Sequence, residues 1–182
     1  FEVTLYDVAQ DVLDKALIRI EKLAGDFKAA GKLSEDDVKR ALARIEMTTG
    51  AAVAAADADL VSESVPEDPE LKARVLAQFN ELCPERTVFT TNTSSLVPSM
   101  FAEATGRPDR FAAFHFHDVR LTKIVDIMPH PGTAPETIDL IKAFARRIGQ
   151  VALVLKKENY GYLFNAMFME LARGRNVLSV GL

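Results

Sequence analysis

Short runs of branched and aromatic residues alternate along this chain with longer segments whose apolar residues recur at three- and four-residue spacing, and this alternation restricts the fold more than any other feature. "FEVTLYD" reads as a strand and "VAQDVLDKALIRIEKLAGDFKAAG" as a long helix closing at Gly31. "LSEDDVKRALARIEM" reads as a second helix, with Ser34 as its N-cap, Asp37 three residues on, and Gly50 just past its far end. The Ala-rich "AAVAAADAD" is a short helix, "ADLVSESV" a strand, "PEDPELKARVLAQFNEL" a helix opened by acids and prolines, and "TVFTTN" a strand. "SSLVPSMFAEATG" reads as a short helix, and "RFAAFHFHDV" and "TKIVDIMP" as two strands. "APETIDLIKAFARRIG" is a helix ending at Gly149, "QVALVLKK" a strand, and "YGYLFNAMFMELARGRNVL" an apolar helix. Strands joined through helices in this way wind into a mainly parallel, doubly wound α/β sheet with helices on both faces.

The last helix is apolar on most of its circumference, through Tyr162, Leu163, Phe164, Met167, Phe168, Met169 and Leu171, and such a helix needs partners on several sides. The expected organisation is therefore a sheet domain over 1–157 and the start of a helical second domain or subunit interface over 158–182. A net charge of -4, with no dense Lys/Arg block, argues against a nucleic-acid partner. No apolar run approaches the length of a membrane span, and the N-terminal residues have neither the basic region nor the cleavage site of a signal peptide. The single cysteine, Cys83, has no partner for an intrachain disulfide and reads as a buried spectator. Together these features give the expectation of a reducing, cytoplasmic compartment.

Three places carry polar groups that a sheet of this kind could use. Asp7 ends the first strand just before a helix; there an acid accepts hydrogen bonds from both ribose hydroxyls of a dinucleotide and repels a 2′-phosphate, while the plainer reading is a helix cap. The companion glycine-rich loop, G-x-G-x-x-G, does not occur, and no residues precede Phe1 to carry it. That points to an internal portion of a longer parent, and to a seam between two buried strands where the loop's own strand would lie. Asn92, Thr93, Ser94 and Ser95 follow the "TVFTT" strand, where polar groups can meet a nicotinamide or a substrate oxygen, or cap a helix at Leu96. His115 and His117 stand two apart on a strand and so share a face. Two imidazoles could bind a metal, but no third ligand at suitable spacing is evident and no metal is expected; a general base fits better, with Asp126 of "KIVDIM" as its orienting carboxylate.

With "VTLYD", "ADLVSESVPEDPELK", "TVFTTNTSSL", "RPDRFAAFHF", "KIVDIM" and "GYLFNAMF" in order at nearly family spacing, the chain resembles the L-3-hydroxyacyl-CoA dehydrogenases, including the short-chain 3-hydroxybutyryl-CoA enzymes. The resemblance implies a Rossmann-like domain that binds NAD and oxidises the 3-hydroxyl of an acyl-CoA, or runs the reverse reaction, in a homodimer built through C-terminal helices. It makes His115 the catalytic base and Asp126 its partner, with Ser94 and Asn165 holding the reacting oxygen. It makes Asp7 the ribose-binding acid, and places Glu67, Lys72, Ser94 and Asp118 at cofactor-contacting positions. Lys28, Lys32 and Lys39 are the natural candidates for the CoA phosphates.

The sequence also departs from the family pattern. Asp126 stands where a glutamate is usual, in a segment one residue shorter; "HFHDV" replaces "HFFNP"; Tyr160-Gly161 replaces Pro-Gly; and Ala166 replaces an arginine. Two rival expectations follow: a sibling dehydrogenase of a free hydroxy acid, as in gulonate dehydrogenases and related lens crystallins, and a non-catalytic relative, which Asp126, His117 and Asp118 favour.

Overall fold

The computed structural model describes residues 1–179, which divide into two compact units, one of Phe1–Ala58 and one that begins at Asp59. In the first unit, β1 (Val3–Tyr6) pairs in parallel with β2 (Ile45–Thr48), in register from Val3 opposite Ile45 to Tyr6 opposite Thr48. Helix α1 (Gln10–Ala29) and helix α2 (Glu35–Leu42) lie between these strands, and α3 (Ala51–Ala55) follows them. Gly31 closes α1 from the left-handed region, at φ 69°, as its N–H bonds the Lys28 carbonyl and that of Lys32 bonds Phe27. This is the pattern that satisfies the last carbonyls of a helix when the next residue needs no Cβ. At the start of α2 the Asp37 N–H donates to Ser34 Oγ at 3.1 Å and the Ser34 N–H donates to the Asp37 carboxylate at 2.9 Å, the reciprocal cap foreseen from the spacing.

The α2 segment differs from its sequence reading at its far end. The helix stops at Leu42, and "IEM", read as its last turn, belongs to β2. Apolar spacing alone fits both structures, and the pairing with β1 decides between them.

The second unit holds a five-stranded sheet in the order β3 (Leu60–Glu63), β4 (Val88–Thr91), β5 (Phe111–Phe116), β6 (Ile124–Pro129), β7 (Val151–Val154). Neighbours are parallel except β5 and β6, which are antiparallel and need only a short connection. Helix α4 (Pro69–Leu82) joins β3 to β4, capped by the Asp68 carboxylate on the Leu71 N–H, and α5 (Pro135–Arg147) joins β6 to β7. The stretch after β4 is not the short helix expected: it forms 3-10 turns at Pro98–Met100, Glu103–Thr105 and Pro108–Arg110. Pro98 and Pro108 lack the N–H that a continuing helix needs, and Gly106 turns the chain at φ 64°.

Strand alternation divides this sheet into two faces. Ala112 and Phe114 of β5, with Val125 and Ile127 of β6, pack against Ile141 and Ala145 of α5. Ala113 and Met128 point the other way, into a cluster with Val97 and Tyr162. Helix α6 (Phe164–Ser179) begins later than expected, so Tyr160–Leu163 precede it. Tyr162 is not part of an apolar helical face: it sits at φ 58° and is fully buried, whereas Leu163, Met167, Phe168 and Leu171 are exposed. The side chains of Phe164 and Met169 lie outside the described residues. None of the described helices is long and apolar enough to cross a membrane.

Candidate functional site

The antiparallel register sets His115 directly opposite Asp126, on the face away from α5. The structure therefore brings together the pair that the sequence offered as base and orienting carboxylate. Asp126 Oδ2, however, lies 3.7 Å from His115 Nδ1, beyond hydrogen-bond length, and 3.1 Å from His117 Nε2, within it. The hydrogen bond thus goes to the histidine just past the end of β5. The two imidazoles meet edge to face at 4.7 Å between centroids, and the Tyr162 ring lies 4.9 Å from His115. His115 Nδ1, Asp126 Oδ1 and the Tyr162 hydroxyl are buried with no hydrogen-bond partner among the described residues. Such groups are costly to leave unmade, and they mark places where a ligand can complete the site.

Tyr162 is the site residue that sequence reasoning missed, because it was counted with the apolar helix. Burial, reinforced by the negative charges of Glu67, Asp126, Glu63 and Glu158, pushes its hydroxyl well above the ordinary tyrosine value and keeps it protonated.

The polar turn after β4 has a definite centre. Thr93 Oγ1 donates to both Glu67 carboxylate oxygens at 2.8 Å, the Ser94 N–H donates at 2.7 Å, and the Ser94 and Ser95 hydroxyls reach the same carboxylate at 3.3 and 3.2 Å. Partial burial works against the Glu67 charge, but these donors and the Lys72 ammonium outweigh it and hold the carboxyl below its ordinary value. Thr93 Oγ1 also accepts the Leu96 N–H, so part of the plainer capping reading is realised in the turn. Asn92 Oδ1 accepts the Phe116 N–H at 2.9 Å and ties the ends of β4 and β5 together. Asn165 Nδ2 donates to the Ser94 carbonyl at 3.2 Å, which joins the start of α6 to the same turn.

Lys72 is turned inward. Its ammonium donates to both oxygens of the buried Glu63 and to the Val65 carbonyl, and lies 3.5 Å from Glu67. Thr91 Oγ1 completes the cluster by donating to Glu63 at 2.6 Å. Asp118 stands apart, forked by the Arg120 guanidinium, whose hydrogen bonds and charge hold its carboxyl at about 2. In the first unit Asp7 Oδ1 accepts the Ala9 N–H at 3.0 Å, but Ala9, not Asp7, is the N-cap of α1. Lys28 and Lys39 both pair with Glu35, and Lys32 lies over the Phe27 ring. Cys83 is buried, and that burial raises its thiol above the ordinary value, so it is inert as a nucleophile.

Against known proteins, residues 1–159 match the model of the 3-hydroxyacyl-CoA dehydrogenase, NAD binding domain. The chain is 32% identical to the human lambda-crystallin homolog, over 92% of this chain and 53% of that protein. It is also 32% identical to the mitochondrial hydroxyacyl-coenzyme A dehydrogenase of Sus scrofa, over 92% of this chain and 55% of that protein. The chain thus spans about half the length of these curated relatives. Among solved structures, one of a diketoreductase superposes with a TM-score of 0.88 at 38% identity, covering 94% of this chain and 61% of that one.

Proposed function

The chain belongs to the 3-hydroxyacyl-CoA dehydrogenase family, with an NAD-binding, Rossmann-like domain, and on that premise we propose that the protein oxidises the 3-hydroxyl of a short-chain 3-hydroxyacyl-CoA, such as 3-hydroxybutyryl-CoA, or reduces the corresponding ketone. The observation that carries the reading is the buried His115, set opposite Asp126 by strand register and sharing that face of the sheet with a Tyr162 hydroxyl that has no partner among the described residues.

His115 would accept the hydroxyl proton, and the Asp126 carboxylate would stabilise the resulting imidazolium as their 3.7 Å separation tightens around substrate. Ser94 and Asn165, already joined by a hydrogen bond, would hold the oxygen in line. The residues present fit the cofactor: with one Asp7 oxygen committed to the Ala9 N–H beyond a parallel strand's tip, the other would take a ribose hydroxyl and repel a 2′-phosphate. When bound, NAD accepts the hydride that leaves C3. Glu67 and Lys72 would act mainly by shaping the cofactor side of the turn, since each is engaged with protein partners, whereas the Asp118 carboxylate is taken up by Arg120. We place the protein in the cytoplasm as a homodimer through α6, the second of these supported by exposed Leu163, Met167 and Leu171.

A second reading, a dehydrogenase of a free hydroxy acid, is favoured by one observation: Lys28 and Lys39, candidates for CoA phosphates, are both paired with Glu35. Reduction of NAD by the full-length protein, with 3-hydroxybutyryl-CoA and with free 3-hydroxybutyrate, separates the two. Turnover confined to the thioester, with NAD preferred over NADP, is expected; equal use of both cofactors would contradict the role of Asp7, and turnover of the free acid alone would contradict the CoA reading.

A further inference from the structure

His115, His117 and Asp126 each bring one ligating atom to within 4.8 Å of the other two. The sequence supplies the first two by strand alternation, and the β5–β6 register supplies the third. Ligands bound at about 2.0–2.1 Å in a tetrahedron stand about 3.3 Å from each other. The Asp126 Oδ2 distances of 3.1 Å to His117 and 3.7 Å to His115 bracket that spacing. Two neutral imidazoles and a carboxylate form a donor set of borderline softness that suits zinc and its first-row neighbours rather than calcium or magnesium. The site is also closed as metal sites are: the side chains of His115 and Asp126 are 8% and 1% exposed, while His117 at 15% leaves an entry. His115 Nδ1 and Asp126 Oδ1 are buried without hydrogen-bond partners among the described residues, which is the condition a bound ion relieves.

We propose that His115, His117 and Asp126 bind one divalent transition-metal ion of the zinc class. The third histidine of the chain, His130, takes no part, because its ring is held by the Pro108 carbonyl and the Gly132 N–H. Binding does not depend on the dehydrogenase reading. One consequence does rest on it: an ion held by His115 and Asp126 withdraws the general base, so the metal is an inhibitor of turnover and not its cofactor.

The test is a titration of the full-length protein with cobalt(II), followed by its ligand-field absorption, then by competition with zinc. One ion per chain is expected, with His117→Phe and Asp126→Asn each weakening binding by roughly a hundredfold or more. His117→Phe keeps an aromatic ring against His115, and far-ultraviolet circular dichroism of each variant verifies that it is folded. Absence of a saturable cobalt band, or a band of unchanged affinity in folded His117→Phe, would overturn the site. In an active preparation zinc lowers turnover and a chelator restores it; zinc binding that leaves turnover untouched would also overturn the assignment to His115. A cobalt site in a protein that oxidises no hydroxyacyl substrate would uphold the metal and reject the dehydrogenase reading instead.

Discussion

At the scale of single residues, the question that the proposed dehydrogenase reading raises is which histidine would carry the proton. Asp126 bonds His117 at 3.1 Å but lies opposite His115 in the sheet, and the two rings touch. On that reading His115 is buried beside Tyr162 with its Nδ1 toward Asp126, which leaves Nε2 for the substrate, whereas His117 Nε2 is already committed to the carboxylate. In metal-free enzyme, His115→Gln is therefore expected to lower kcat by about a hundredfold or more with cofactor affinity nearly intact, and His117→Ala to do much less. Steady-state kinetics and NAD titration of both variants measure this; the reverse order would move the base to His117. Sequence alone showed that both histidines share a face, because a strand's period is fixed. It did not show which ring the aspartate would reach, since that depends on one methylene and on the length of the loop between β5 and β6. The four polar residues after β4 were legible as a site but not for their purpose. Most of their hydrogen bonds converge on Glu67, 26 to 28 positions away in the chain, and only the β3–β4 pairing makes that contact possible.

At the scale of elements, local chemistry was readable where it is local. The Ser34–Asp37 cap and the helix ends at Gly31 and Gly149 follow from side chains and backbone freedom within one turn. The strand β2 was not readable, because a distant strand decides it; the 3-10 turns after β4 were missed although Pro98 and Pro108, which break the helix, stand in the sequence. The turn at Gly106 is the tightest of these joints. Its φ is 64°, and an added Cβ would fall 2.7 Å from Asn80 Cγ, closer than side chains approach. Asn80 cannot swing away without loss, because its side-chain oxygen accepts a hydrogen bond from Arg107. Gly106→Ala is thus expected to destabilise the protein by roughly 1–3 kcal/mol, more than the ordinary cost of a left-handed alanine alone. Urea denaturation of the two forms would measure it, and a cost below about 0.5 kcal/mol would show that the Asn80–Arg107 contact gives way freely.

At the scale of the whole molecule, burial is distributed very unevenly. In residues 1–58 the buried apolar side chains are Leu13, Ala24 and Ala55, and β1 and β2 form a two-stranded sheet with partly exposed strands. In the second unit all four residues of β4 and the first five of β5 are buried, and Phe89, Phe111, Phe114, Ile127 and Ile141 are almost wholly removed from water. Hydrophobic stabilisation scales with apolar area withdrawn from solvent, and opening a segment costs what that segment buries. The amides of β4, β5 and β6 are therefore expected to exchange with solvent only on global unfolding, while those of β1 and β2 exchange through smaller openings and lose protection first as urea is raised. Native-state hydrogen exchange followed by mass spectrometry resolves the two groups. If the β1–β2 amides proved as slow as those of Phe89 and Phe114, with the same dependence on urea, the two units would open together and the uneven burial would not govern the stability of the parts.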